Sequence, residues 1–173
     1  MPVLMCMSGR PGVGKTTIAR QVTKRTGALW LWLDEIEAAM RASHMQTDDL
    51  ADGGYAAAQA VAKRALMQGY DVLADCTNPI ALTRDGWRDV SRQAGARHLD
   101  VELYCSDPAE HRRRVVSRKV DPPGWVGPDW DAVQARDYED FDDAEIRIDT
   151  AITTAQQASD WLCAALRTEA RET

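Results

Sequence analysis

The chain has 173 residues, 45% of them hydrophobic and 28% charged. That length suits one domain with a core of its own, and that balance excludes wholesale disorder. Lys and Arg number 21 against 27 Asp and Glu, a net charge of −6; the overall field works against a protein that coats nucleic acid and leaves small-molecule partners open.

The four cysteines, Cys6, Cys76, Cys105 and Cys163, stand singly without a C-x-x-C pair. Cys6, Cys76 and Cys105, in or beside apolar runs, are expected to be small buried hydrophobes; a reducing compartment and no zinc site are expected. Residues 1–8 are apolar but lack a basic leader and run straight into a glycine-rich motif, so they read as a strand and not as a signal peptide. No stretch approaches the roughly 18 apolar residues of a membrane span. A cytoplasmic location, with no membrane partner, is the expectation.

In chain order, residues 3–7 form a continuous apolar run, the pattern of a strand buried on both faces. A helix is predicted over 15–25, stopped by Gly27, then a strand over 28–33 that runs into Asp34. Residues 35–42 are helical in pattern and 44–54 read as a loop. An alanine-rich helix spans 55–67 with Gly69 closing it. A strand over 70–74 ends at Asp75, and a helix over 83–94 stops at Gly95. Residues 99–104 alternate as a strand. Asp107 as N-cap, Pro108 at N1 and Glu110 at N3 start a helix reaching about residue 119. Pro122, Pro123, Gly124, Gly127 and Pro128 exclude a regular element over 121–129. A helix over 130–141, a strand over 144–148 and an amphipathic helix over 154–170 follow.

Five strands separated by helices predict an α/β fold with a five-stranded parallel sheet, because parallel strands need crossover connections. The expected architecture is a three-layer α/β/α sandwich, one domain over 1–173. Ligands in such sheets bind beyond the carboxyl ends of the strands. Gly9, Asp34 and Asp75 follow or close three of those strands and should share one rim.

Gly9-Arg10-Pro11-Gly12-Val13-Gly14-Lys15-Thr16 is a complete G-x-x-x-x-G-K-[ST] motif between a buried strand and a helix. This is the Walker A or P-loop pattern, in the context that supports it. Its backbone N–H groups, the helix N-terminus and the Lys15 ammonium are expected to hold the phosphates of ATP. The Thr16 hydroxyl is placed to ligate Mg²⁺, and Thr17 extends the turn toward the α-phosphate. Asp75 is the candidate second Mg²⁺ carboxylate; the alternative is a turn residue.

Gly9 to Thr17, Asp34, Asp75-Cys76-Thr77-Asn78, and Arg114-Val115-Val116-Ser117-Arg118 before a Pro/Gly-rich segment together resemble the small P-loop kinases. The resemblance is strongest to the branch that includes the kinase domain of polynucleotide 5′-hydroxyl kinases. Gluconate kinases, shikimate kinases and the chloramphenicol phosphotransferase/zeta-toxin group are wider relatives. It implies a P-loop NTPase fold and makes Asp34 the general base that takes the proton of the acceptor hydroxyl. It also implies that Arg114 and Arg118, four residues apart on one helical face, bridge the β- and γ-phosphates. Residues around 119–130 would form a mobile lid containing Trp125. Arg136 would contact adenine or phosphates.

The sequence departs from that branch at Glu37, where an arginine ordinarily grips the phosphate of a nucleic-acid substrate. The nearest replacement is Arg41. Glu35 and Glu37 are expected to be solvated acids of the first helical turns. Thr77, Asn78, Arg84 and Trp87 are candidates for the acceptor pocket. Trp30 and Trp32 share a strand face and should pack in the core, as should Trp87 and Trp161. His44, His98 and His111 stand alone and suggest neither metal nor catalysis. The leading expectation is an ATP- and Mg²⁺-dependent kinase for a hydroxyl of a small molecule. The competing ones are a polynucleotide 5′-hydroxyl kinase and an ATP-binding module without transfer activity.

Overall fold

The computed structural model describes residues 1–44, 49–118 and 127–167. Five strands, β1 (Val3–Ser8), β2 (Leu29–Trp32), β3 (Val72–Asp75), β4 (Arg97–Tyr104) and β5 (Ile146–Asp149), pair in the order β2-β3-β1-β4-β5. Every pairing is parallel. The helices are α1 (Lys15–Thr26), α2 (Leu33–Ala42), α3 (Gly53–Met67), α4 (Ala81–Ala94), α5 (Pro108–Ser117), α6 (Trp130–Ala135) and α7 (Ala155–Arg167). The expected α/β sandwich is therefore the observed one.

Alternation along the central strand builds two cores. Val3, Met5 and Met7 face Ile18 and Val22 of α1 and Leu162 of α7. Leu4 and Cys6 face Ala58, Ala62 and Leu66 of α3 and Trp87 of α4. All six β1 residues are buried, so the run is apolar because it has no solvent face. On β4, Leu99, Val101 and Leu103 join the first core. The other face of β4 carries buried Asp100, bonded to Arg88 at 2.7 Å, and Glu102, bonded to Arg147 at 2.7 Å.

Several boundaries move. Asp107 caps α5 as expected, accepting from Ala109 and Glu110 N–H at 2.9 and 3.1 Å, but the helix stops at Ser117. α6 ends at Ala135 and does not reach 141. The chain beyond it is drawn to α4: Glu139 N–H donates to Pro79 O at 2.8 Å, and Arg84 donates to the carbonyls of Glu139 and Asp140. Phe141 is fully buried beneath the Arg84 guanidinium, 4.1 Å from its ring centre. These contacts outweigh helix propensity over 136–141. Trp87 is buried as expected, but Trp161 is 55% exposed. It lies off the buried stripe of α7 formed by Ala158, Leu162, Cys163 and Leu166. Trp32 is buried and Trp30 half-buried, their rings stacked 5.4 Å apart. No helix of the described residues is long and apolar enough to cross a membrane.

Candidate active site

A cleft of about 870 Å³ opens beyond the carboxyl ends of β1, β2 and β3. The glycine loop forms one wall. Gly9 has φ 144°, and a Cβ there would lie 2.2 Å from the Leu103 carbonyl oxygen; only glycine lets the loop leave β1 so close to β4. Gly14, at φ 101°, sits at the N-cap of α1, and nothing lies within 4 Å of where its Cβ would be. The first turn of α1 has no side-chain cap, so its N–H groups face open space of the kind that takes an anion.

Lys15 is buried, its ammonium donating to Gly9 O at 2.8 Å and Arg10 O at 3.1 Å. Burial pulls its pKa down, opposed by the charges of Asp75 and Asp34. Asp75 is 2% exposed at the cleft floor. Burial raises its pKa to about 6, against the pull of Lys15 and the Thr16 hydroxyl. Its Oδ2 is buried with no hydrogen-bond partner. An unpartnered carboxylate oxygen beside a threonine hydroxyl, below the phosphate cradle, fits a Mg²⁺ whose other ligands are phosphate oxygens and water. Among the described residues no three His, Cys, Asp or Glu side chains cluster as an all-protein metal site.

Asp34 lies in the first turn of α2, whose N-cap is Trp32, so it is a helical residue and not the cap. It lines the cleft, and its charge acts on Lys15, Asp75, Glu37 and Arg118. Thr17, Thr77, Arg41, Arg118 and Arg136 line the same cleft. Arg118 is half-buried, which lowers its pKa against the pull of Asp34. Elements far apart in sequence thus bring Lys15, Thr16, Asp34, Asp75 and Arg118 to one cavity.

Other expected site residues are employed elsewhere. Arg114 reaches the cleft wall, but its guanidinium donates to Glu110 at 2.7 Å and to the Thr150 hydroxyl and carbonyl at 3.0 and 2.9 Å. Because α5 stops at Ser117, Arg118 has left its helical face, and the paired-arginine geometry does not form. Arg10 turns from the loop to hold α6, donating to Val133 O and Arg136 O at 2.9 and 2.8 Å with Tyr138 under its guanidinium. Val13 is a core residue, leaving only its backbone near the cradle. Asn78 is fully buried, donating to Cys6 Sγ and Ser8 Oγ and accepting from the Trp87 indole. Arg84, 4% exposed, is the clamp described above. Neither Asn78 nor Arg84 is an acceptor-pocket side chain. Most of the expected lid, with Trp125, falls outside the described residues; Pro128 lines the cleft.

Three residues take roles that the sequence did not assign to them. His111 is buried and donates Nε2–H to Pro11 O at 2.8 Å, with Trp130 edge-on at 5.2 Å, so it braces the loop. Glu37 is not a solvated acid: it lines the cleft, and its half-burial raises its pKa. Tyr55 stands beside it, its hydroxyl oxygen accepting from Asn78 N–H at 3.1 Å. No local pattern marks them. The nearest signal is Gly54, whose missing side chain leaves room for Glu37.

A glycine cradle on the first strand of a 2-3-1-4-5 parallel sheet, with a carboxylate facing it from the β2–α2 junction, defines a P-loop kinase-like domain. The chain belongs to the AAA_33 family, described as an AAA domain, whose family model matches residues 4–129. Its structure is similar to the Mycobacterium tuberculosis APS kinase in complex with AMPPNP and APS, at 20% identity and TM-score 0.70 over 97% of this chain and 98% of that one. It is also similar to Chaetomium thermophilum Kti12 in complex with ADP-AlF3, at 18% identity and TM-score 0.67, covering 94% and 98%. A Sinorhizobium meliloti gluconokinase matches at 17% identity and TM-score 0.62, covering 98% of both chains. At these identities the likeness is one of fold. No curated protein matches the sequence closely enough to count as a relative.

Proposed function

We propose that the protein transfers the γ-phosphoryl group of ATP to a hydroxyl of a small-molecule acceptor. The observation that carries this reading is the facing of Asp34 and the Lys15 cradle across one cleft. A nucleotide binder needs the cradle alone, whereas transfer needs a second group to hold the nucleophile. The small-molecule kinases among the structural neighbours support it.

In this reading the N–H groups of the loop and of the first turn of α1 bind the β- and γ-phosphates. Lys15 exchanges its bonds to Gly9 O and Arg10 O for phosphate oxygens. Thr16 and Asp75 would hold Mg²⁺, which would supply neutralisation of the phosphate charge when bound. Asp34 accepts a hydrogen bond from the acceptor hydroxyl, aims its oxygen in line with the γ-phosphorus and takes its proton as the new P–O bond forms and the bond to the β–γ bridging oxygen breaks, with ADP leaving. Arg118 faces the negative charge that spreads over the transferring group. Arg114 orients this wall through Glu110 and Thr150 and does not bridge phosphates.

Asp34→Asn should lower kcat by about 10²–10⁴-fold while AMPPNP affinity stays within about twofold of the parent. ADP release and calorimetric AMPPNP binding read the two. Unchanged turnover would reject the transfer role. A polynucleotide acceptor is disfavoured because Glu37 joins Asp34 in the cleft, putting carboxylates where a backbone phosphate would lie.

A further inference from the structure

Glu37 stands three residues after Asp34 on α2 and lines the same cleft. Side chains so spaced lie on one helix face, with Cβ atoms roughly 5–6 Å apart, within the span of one small polyhydroxylated molecule. The groups facing Glu37 are Asp34 and Arg41 on its own helix, Tyr55 of α3 and Arg136 after α6. Its pairing with Arg41 is loose: both guanidinium contacts fall on Oε2, at 3.4 and 3.5 Å. Glu110 holds Arg113 and Arg114 at 2.7 Å in the same molecule. No hydrogen bond among the described residues reaches Glu37 Oε1. Half-burial and the Asp34 charge both disfavour the ionised form, with only Arg41 and Arg136 opposing. The Tyr55 hydroxyl, whose oxygen accepts from Asn78 N–H, keeps its proton to donate.

The helix packed against α2, α3, is cut to fit this side chain. A Cβ on Gly54 would lie 2.6 Å from Glu37 Cγ and 2.8 Å from Oε1. Gly54 is inside a helix at an ordinary φ, where glycine is otherwise a cost. Its absent side chain leaves Glu37 the space to turn into the cleft.

We infer that Glu37 sets the acceptor class: the cleft takes a non-anionic alcohol, a polyol or amino alcohol, that presents hydroxyl or ammonium hydrogens to Oε1 while its reacting hydroxyl lies at Asp34. A carboxylate or phosphate at that position would meet two acids and a tyrosine, with the two cations there, Arg41 and Arg136, already facing Glu37. Like charges brought together out of water reject a ligand more strongly than a missing contact does. This inference rests on the phosphotransferase reading of the same cleft.

The test compares polyols and amino alcohols with the carboxylates and phosphate esters built on the same carbon skeletons. ADP release is measured for the parent, Glu37→Gln, Glu37→Arg and Gly54→Ala, with AMPPNP affinity as the control. The parent should favour the non-anionic members by about tenfold or more in kcat/KM, and Glu37→Gln should lose most of that preference. Glu37→Arg should invert it. Gly54→Ala, which keeps the charge but pushes Glu37 aside, should lower kcat/KM for the preferred acceptors about tenfold and leave AMPPNP binding unchanged. A parent that prefers the anionic members, or a preference insensitive to Glu37, overturns the assignment. If no compound is phosphorylated while AMPPNP still binds, the transfer reading fails. Calorimetric binding of the same compounds to the AMPPNP-loaded protein then decides the selectivity: Glu37-dependent discrimination supports it, and its absence overturns it.

Discussion

Asp75 shows how one residue trades stability for a site. Its carboxyl is taken out of water without a full set of partners, and its folded-state pKa of about 6 lies above its ordinary 3.8. As pH rises the unfolded chain releases this proton first, so folding loses free energy between about pH 4 and 6 and the loss is complete above 6. A shift of this size corresponds to about 3 kcal/mol at most. Asp75→Asn should therefore make the free protein more stable at pH 7, with the gain shrinking by roughly half at pH 5. Urea unfolding at the two pH values measures it. The same variant should lose the extra stabilisation that Mg²⁺ adds to ATP binding. Equal stability of parent and variant at pH 7 would mean that Asp75 carries no such penalty.

Among the elements, α6 owes its position to the phosphate loop. Arg10 bonds the carbonyls of Val133 within it and of Arg136 just after it, and His111 connects Pro11 to Trp130 at its start. Arg136, the residue that follows α6, is thereby delivered to the cleft opposite Glu37. Arg10→Met should destabilise the fold by about 1–3 kcal/mol, the worth of hydrogen bonds from a charged donor. It should also raise the acceptor KM more than it weakens AMPPNP binding, because Lys15 and the loop backbone are untouched. A change confined to nucleotide affinity would instead make Arg10 a phosphate ligand. Element boundaries were legible where local chemistry sets them, as at the Asp107 cap and the Gly27 stop. They were not where a distant side chain intervenes: Arg84 and Pro79 take the backbone after Ala135, and nothing within 130–141 announces it. The Arg114 role could have been read otherwise, since Glu110 precedes it by four residues, the spacing of a helical ion pair.

Across the whole molecule, two cores pack on the two faces of one sheet and the cleft opens beyond the carboxyl ends of its strands, so a nucleotide held there would be linked to the fold. ATP with Mg²⁺ at about 100 times its Kd should add about 2.7 kcal/mol, roughly 5–10 °C in Tm for a chain of this size. Lys15→Ala should abolish most of that shift in a thermal melt. A full shift in the variant would show that the nucleotide is held somewhere other than the glycine loop.

The amino-acid order alone was enough for the sheet, the loop and the shared rim of Gly9, Asp34 and Asp75. Apolar runs, glycine stops and the G-x-x-x-x-G-K-T spacing are local signals, and parallel topology follows from the alternation of strands and helices. Folding across long sequence separations settled the rest. It drew Arg10, Arg84 and Asn78 into structural duties, stopped α5 before Arg118, and turned Glu37 into the cleft against Gly54. Which partner a polar side chain finds depends on which surfaces meet in three dimensions, and a helix face carries no mark of the glycine that will one day lie opposite it.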